Sequence, residues 1–211
     1  MQKNRSVATL QMLGGHPSLD FANTVAARRG RWGPDVLVTY GDLVDWAERK
    51  DLLEEDALRA IRERAAHSPS DSAAALARAK RLREALFVVF SDLGQATARE
   101  HEEALALLRD EYLDGRAAQH LHAGAEGVGW EWSGPPGLAA VTHRIAVLAV
   151  ELLTGPESRR VKECRGRNCG WLFLDTSRNR SRRWCSDAEC GTLDRVTRHR
   201  MRARGHAEQP P

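Results

Sequence analysis

The chain has 211 residues, 42% hydrophobic and 29% charged, with a formal net charge of +3. That length suits one medium domain plus a small appendage, and the balance is that of a soluble protein rather than a collagen, a coiled-coil rod or a disulfide scaffold. No apolar run approaches the roughly 20 residues of a membrane span, and no apolar stretch follows the basic first residues as in a signal peptide. A soluble cytoplasmic protein without membrane contact is expected.

From the N-terminus, His16, Asp20 and Asn23 fall close together beside Phe21, with Ser18 placed to cap a short helix. These three are the candidate ligand-binding residues. The competing reading is a structural loop in which Asp20 and Asn23 satisfy backbone groups. Thr39-Tyr40-Gly41-Asp42 reads as a capping box leading into Leu43, Trp46 and Ala47. Residues 54–66 carry Leu58, Ile61 and Ala65 at helical spacing, and residues 67–72 read as a linker and start signal. The next helix places Leu76, Ala79, Leu82, Leu86, Phe90 and Leu93 along one side, and Leu105, Leu108 and Tyr112 mark another. Ala118 to Leu121 and Val128, Trp130 and Trp132 predict a hairpin around residues 124–127, with both tryptophans in the core. Leu138, Val141, Ile145, Leu148 and Leu152 define a helix ended by Gly155-Pro156, with His143 and Arg144 on its solvent side.

Charge is uneven. Residues 158–205 hold 14 Lys or Arg against 5 Asp or Glu, so this segment is basic and the rest of the chain is acidic. All four cysteines, Cys164, Cys169, Cys185 and Cys190, fall inside it as C-x4-C-x15-C-x4-C. In a reducing compartment such a cluster reads as a metal site rather than two disulfides, and four thiolates suit one structural Zn²⁺ with no open catalytic position. Gly166, Asn168 and Gly170 supply positive φ for a tight loop, Trp171 to Leu174 is a β-prone run, Asp175 to Arg180 reads as a turn, and Arg182-Arg183-Trp184 is the expected return strand. Ser186 and Glu189 have capping-box spacing, so a helix is predicted from Ser186 with Cys185 and Cys190 bracketing its first turn. Loop, hairpin and helix together form a treble-clef-like finger. Along that helix Leu193, Val196 and either Met201 or Ala203 are expected to face inward onto Trp171 and Phe173, while Arg195, Arg198 and Arg202 share an outer stripe flanked by His199 and Arg200.

Residues 164–204, with W-x-F-x-D-x-S-R-N-x-x-R-R-W-C followed by C-G-x-x-x-R-V-x-R-H-R, resemble the bacterial CGNR zinc-finger family. The signature is degenerate, because Thr192 and Leu193 replace its Asn and Arg, and Asp187 stands where a Met is expected. Residues 14–24, GGHPSLDFANT, are similar to the opening of the ABATE domain of stress-induced transcription regulators. The resemblance implies a bacterial transcription regulator associated with the nucleoid, whose N-terminal domain senses a small-molecule or stress signal.

The expected fold is mainly α with small β-hairpins (α+β). It comprises a helical domain at 1–157, a four-cysteine zinc finger at 158–205 and a disordered tail at 206–211. The candidate DNA contacts are Arg178, Asn179, Arg180, Arg182, Arg183, Arg195, Arg198, His199, Arg200 and Arg202. Arginine matches phosphates and guanine edges bidentately. Double-stranded DNA is the leading partner. RNA, or an acidic protein partner of a zinc-stapled interaction module, are the alternatives, and homodimerisation would enlarge a small footprint. No phosphate-binding glycine loop, G-x-S-x-G elbow or H-E-x-x-H is present, so enzymatic activity is not expected.

Overall fold

The computed structural model describes residues 6–29, 33–91, 98–125 and 127–207, with side chains as far as Met201. After a 3-10 turn at Val7–Thr9 comes α1 (Pro17–Ala22), with Pro17 in the first turn, where a missing N–H costs nothing. Its cap is His16 rather than Ser18, the imidazole Nδ1 accepting from the Ser18 amide at 3.3 Å. The capping box at Thr39 and Asp42 starts α2 (Tyr40–Glu48). Then α3 (Glu55–His67) and α4 (Pro69–Ser91) follow with only Ser68 between them, so the expected linker shrinks to one residue. Proline cannot continue α3 but is at home in the first turn of α4.

α5 (Ala98–Ala117) and α6 (Ala140–Thr154) pack closely against each other and α4, joined by a hairpin of β1 (Gln119–Gly124) and β2 (Gly127–Trp132). The buried stripe of α5 is Ala104, Leu108, Glu111 and Gly115, and Leu105 is exposed. The close approach of α6 at Gly115 sets this rotation, since a Cβ there would sit 3.0 Å from the His143 carbonyl oxygen. That approach half-buries His143 and Arg144, contrary to the solvent-facing expectation. Leu76, Ala79, Leu82, Leu86 and Phe90 of α4 are buried as the periodicity predicts, while Leu93 lies outside the described residues.

The β1–β2 register is Gln119 opposite Trp132 through Gly124 opposite Gly127, and both faces of the ribbon are largely exposed. The tryptophans are therefore not core residues. Trp130 remains 54% exposed, with the Arg116 guanidinium 5.2 Å from its ring centre, and Arg144 lies 4.2 Å over Trp132. The ribbon packs on the end of α5 rather than on the bundle's apolar centre, which leaves neither face a hydrophobic partner.

Past a 3-10 turn at Pro156–Arg160, β3 (Val161–Glu163) pairs antiparallel with β4 (Leu172–Leu174), Val161 opposite Leu174. The return strand of the 171–174 run is thus β3, upstream, and not Arg182-Arg183-Trp184. A single π-helical turn at Asp187–Gly191 leads into α7 (Thr192–Ala207), whose backbone extends two residues into the segment expected as a tail. Among the described residues no helix is long and apolar enough to cross a membrane.

One hydrophobic core spans helices and finger. Phe21 and Trp46 meet with ring centres 5.1 Å apart, and the same cluster takes in Trp171, Leu172, Phe173 and Leu174, all buried. At about 1.5–3 kcal/mol for each such side chain buried, β4 anchors the finger into the bundle rather than tethering it.

Candidate metal centre and nucleic-acid interface

The seam between bundle and finger is built from main-chain bonds made by the segment after α1. Asn23, 1% exposed, donates through its side-chain amide to the Leu172 carbonyl and accepts from the Leu172 amide through Oδ1, both at 2.8 Å. The Trp171 indole donates to the Val25 carbonyl at 2.8 Å, and the Arg28 amide to the Cys169 carbonyl at 2.7 Å. Gly170 sits beneath this contact with φ +71, and a Cβ there would fall 3.0 Å from Arg28 Cβ. The Arg28 guanidinium is buried, bonded to the Ala22 carbonyl and Glu84, and stacked 4.4 Å from the Phe87 ring. Asp20 accepts from the Gly14 amide at 2.7 Å and from Lys50 at 2.8 Å. Of the three residues read as ligand-binding candidates, Asp20 and Asn23 therefore brace the chain, and His16 caps α1.

The finger brings all four cysteines together, with their sulfurs within 4.8 Å of one another. Cys164 leaves the end of β3, Cys169 lies in the loop before β4, Cys185 precedes the Ser186 cap, and Cys190 is on the π-helical turn. The first pair thus sits in the bend of the β3–β4 hairpin rather than ahead of a later hairpin. Gly166 is required by proximity rather than by positive φ, because its Cβ would lie 3.1 Å from Cys190 Sγ. Asn168 likewise has no positive φ. Ser186 Oγ accepts from the Glu189 amide at 3.2 Å and fixes the turn that presents Cys190.

The cysteines are free thiols, with Cys169 and Cys185 sulfurs 3.7 Å apart and Cys185 and Cys190 sulfurs 3.9 Å apart. A tetrahedron of sulfurs about 2.3 Å from a central ion has edges of about 3.8 Å. The donor set fits a four-coordinate thiophilic metal. Proximity of the Cys169, Cys185 and Cys190 sulfurs pulls the Cys164 thiol toward its thiolate and pushes the Cys169 and Cys185 thiols up. Four crowded sulfurs cannot all ionise by themselves, whereas a coordinated divalent cation removes that opposition.

Between the pairs lies the turn expected at Asp175–Arg180, and its organiser is the first residue, Asp175, whose burial the sequence did not signal. Its carboxylate is fully buried and accepts from the Ser177 amide at 3.0 Å, Ser177 Oγ at 2.5 Å, the Arg182 amide at 3.0 Å and Lys162 at 2.7 Å. Burial opposes ionisation, but these donors, Lys162 foremost, hold the carboxyl well below the usual range. Lys162 also donates to the Arg180 and Arg182 carbonyls, and Arg180 adopts φ +49. The D-x-S spacing is the one sequence signal for this Asx-type turn.

The basic candidates divide by what they touch. Arg178, Asn179, Arg180 and Arg183 are exposed around the turn, as are His199 and Arg200 on α7. Arg182 is half-buried, bonded to the Leu174 and Cys185 carbonyls and stacked 4.7 Å from the Phe173 ring. Arg195 is paired with Asp187 at 3.0 Å and bonded to Thr192, and Arg198 is paired with Asp194 at 2.8 Å. Two departures from the family signature, Asp187 and Thr192, therefore serve as partners of Arg195. The Arg202 side chain lies outside the described residues. Leu193 (67% exposed), Val196 and Met201 all face outward, a correction to their expected inward packing. Trp171 to Leu174 already fill the core positions under the finger. Among the described residues from Arg160 onward, Arg165, Arg167, Arg178, Arg180, Arg183 and Arg200 are exposed guanidinium groups without an ion pair.

A mainly helical bundle continuous with a four-cysteine finger and an arginine-rich edge defines the class. Residues 15–156 match the ABATE domain, described as "putative stress-induced transcription regulator", and residues 160–203 match the CGNR zinc finger. The chain belongs to the ABATE family and carries a CGNR finger at its C-terminal end. No curated protein matches the chain.

Proposed function

We propose that the protein is a Zn²⁺-dependent DNA-binding transcription regulator. The observation that carries this reading is the coincidence of a cluster of four thiols with six exposed guanidinium groups, free of ion pairs, on residues 160–203. Cys164, Cys169, Cys185 and Cys190 hold the ion, which supplies structural cross-linking of hairpin, turn and α7. The Asp175-centred turn presents Arg178, Arg180 and Arg183 to phosphates with their main chain already fixed, so little ordering cost accompanies contact. α7, about 24 Å long at 1.5 Å per residue, has the dimensions to lie in a major groove. Arg195 and Arg198 join that contact by exchanging their carboxylate partners for phosphate. The bundle passes a small-molecule or stress signal to the finger through the Asn23, Trp171 and Arg28 seam.

Selection of sequences from a random duplex pool by the metal-loaded chain tests this reading. An enriched motif that disappears with Cys164→Ser and withstands RNA competitor supports it. Salt-sensitive retention without any enriched motif removes sequence-specific regulation. A second reading, a zinc-stapled protein-interaction module, is favoured by the outward Leu193, Val196 and Met201 of α7. It predicts that polar replacement of these three leaves DNA retention unchanged and abolishes association with a protein partner.

A further inference from the structure

We propose that His120, His122 and Glu131 form a second divalent-metal site, on the exposed β1–β2 ribbon and separate from the cysteines. His120 and His122 are two residues apart on β1, so their side chains leave the same face, and Glu131 of β2 opposes His120 directly. Glu131 Oε2 lies 3.7 Å from His120 Nε2 and 3.6 Å from His122 Nδ1, and all three ligand atoms fall within 4.8 Å of one another. Ligands about 2.1 Å from one ion are separated by about 3.0–3.4 Å, so both distances to Glu131 lie within a few tenths of an ångström of that range, and rotation of the exposed imidazoles brings their nitrogens, now within 4.8 Å, to the same separation.

The far ring nitrogen of His120 supplies an independent sign. His120 Nδ1 lies 3.0 Å from Ser133 Oγ. With Nδ1–H donating to that hydroxyl, the Nε2 lone pair is left facing Glu131, which is how a histidine ligand is commonly oriented. The ribbon itself also calls for a clip. Both of its faces are exposed, three of its residues are glycine (Gly124, Gly127 and Gly129), and an isolated two-stranded ribbon is marginal in water. An ion held by both strands closes the ribbon where no hydrophobic face does.

Two imidazoles and a carboxylate suit a borderline ion such as Zn²⁺, Ni²⁺ or Co²⁺ and not Ca²⁺ or Mg²⁺. A cavity of about 370 Å³ lined by His122, Gly129, Trp130 and Glu131 adjoins the cluster and leaves room for a further ligand from water or a small molecule.

The test uses the full chain in Zn²⁺ excess, with bound metal counted by equilibrium dialysis. Two ions per wild-type chain and one in each of His120→Gln, His122→Gln and Glu131→Gln are expected. With Co²⁺ as probe, the thiolate charge-transfer absorption stays unchanged in all three, which assigns the retained ion to the cysteines. Zn²⁺ should also slow amide exchange in β1 and β2 by about tenfold in the wild type and not in His122→Gln. A single ion per wild-type chain, or a second ion retained by all three variants, overturns the proposal.

Discussion

Asn23→Ala removes the side chain that closes the seam. In the folded chain its amide and carbonyl engage both main-chain groups of Leu172, each at 2.8 Å, in a fully buried setting. Alanine supplies neither group, and β4 is covered on both faces, so no water replaces them. An unsatisfied buried donor or acceptor costs about 1–3 kcal/mol, and two of them together set the expectation at about 2–6 kcal/mol. Urea unfolding of the metal-loaded chain measures this as a lowered midpoint at unchanged m-value. Hydrogen exchange at the Leu172 amide localises it, with protection falling in step. Asn23→Asp should recover part of the loss, keeping an acceptor for the Leu172 amide while facing the carbonyl with a second oxygen. A midpoint shift worth less than about 0.5 kcal/mol for Asn23→Ala, the range of ordinary surface substitutions, would refute the argument that this residue joins bundle to finger.

Chelation of the metal should lower the melting temperature of the whole chain in one transition, because the core is continuous, and two separate calorimetric transitions would contradict that. Asp175→Asn should destabilise by about 2–3 kcal/mol in urea titration, since the carboxylate serves four donors and one is charged. Its folded pKa is depressed, so its contribution is complete above the unfolded value of about 3.9 and disappears as pH falls below it, and the variant should lack that acid limb. Burial lowers the His143 pKa, so the unfolded chain binds the extra proton first and stability falls as pH drops below about 6.5. His143→Gln should flatten that slope in melts between about pH 5 and 6.5. Leu193→Ser and Val196→Ser should shift stability by no more than about 0.5 kcal/mol, and a loss of 2 kcal/mol or more would return these residues to a core role.

Helical periodicity and caps were legible from sequence because they are local. The Thr39 and Asp42 box, the Ser186 cap and the apolar sides of α4 and α6 depend on residues within a few turns of one another. The cysteine spacing likewise announced a cluster. What was not legible depended on competition between distant segments. β4 had two possible partners, and Asp175 and Lys162 decided the outcome by holding residues 177–182 as a turn, leaving Val161–Glu163 to form the ladder. The apolar residues of α7 have a helical period, but the period does not say which face is covered. β4 had already taken the place beneath the finger. Alternation along β2 gave Trp130 and Trp132 one face, and only the placement of the ribbon at the end of α5 left that face outside the core. Arg195 and Arg198 stood out as positive charges. Their pairing with Asp187 and Asp194 depends on side-chain reach that composition does not carry.

The most direct test of DNA binding by the metal-organised finger is the salt dependence of duplex affinity for the wild type and for Arg178→Ala/Arg180→Ala/Arg183→Ala. Six phosphate contacts at about 0.9 each predict a log–log slope of about −5, and removing three predicts about −3 with the metal content unchanged. A slope near zero for the wild type, or one left at about −5 by the triple substitution, would contradict the assignment of these arginines to DNA.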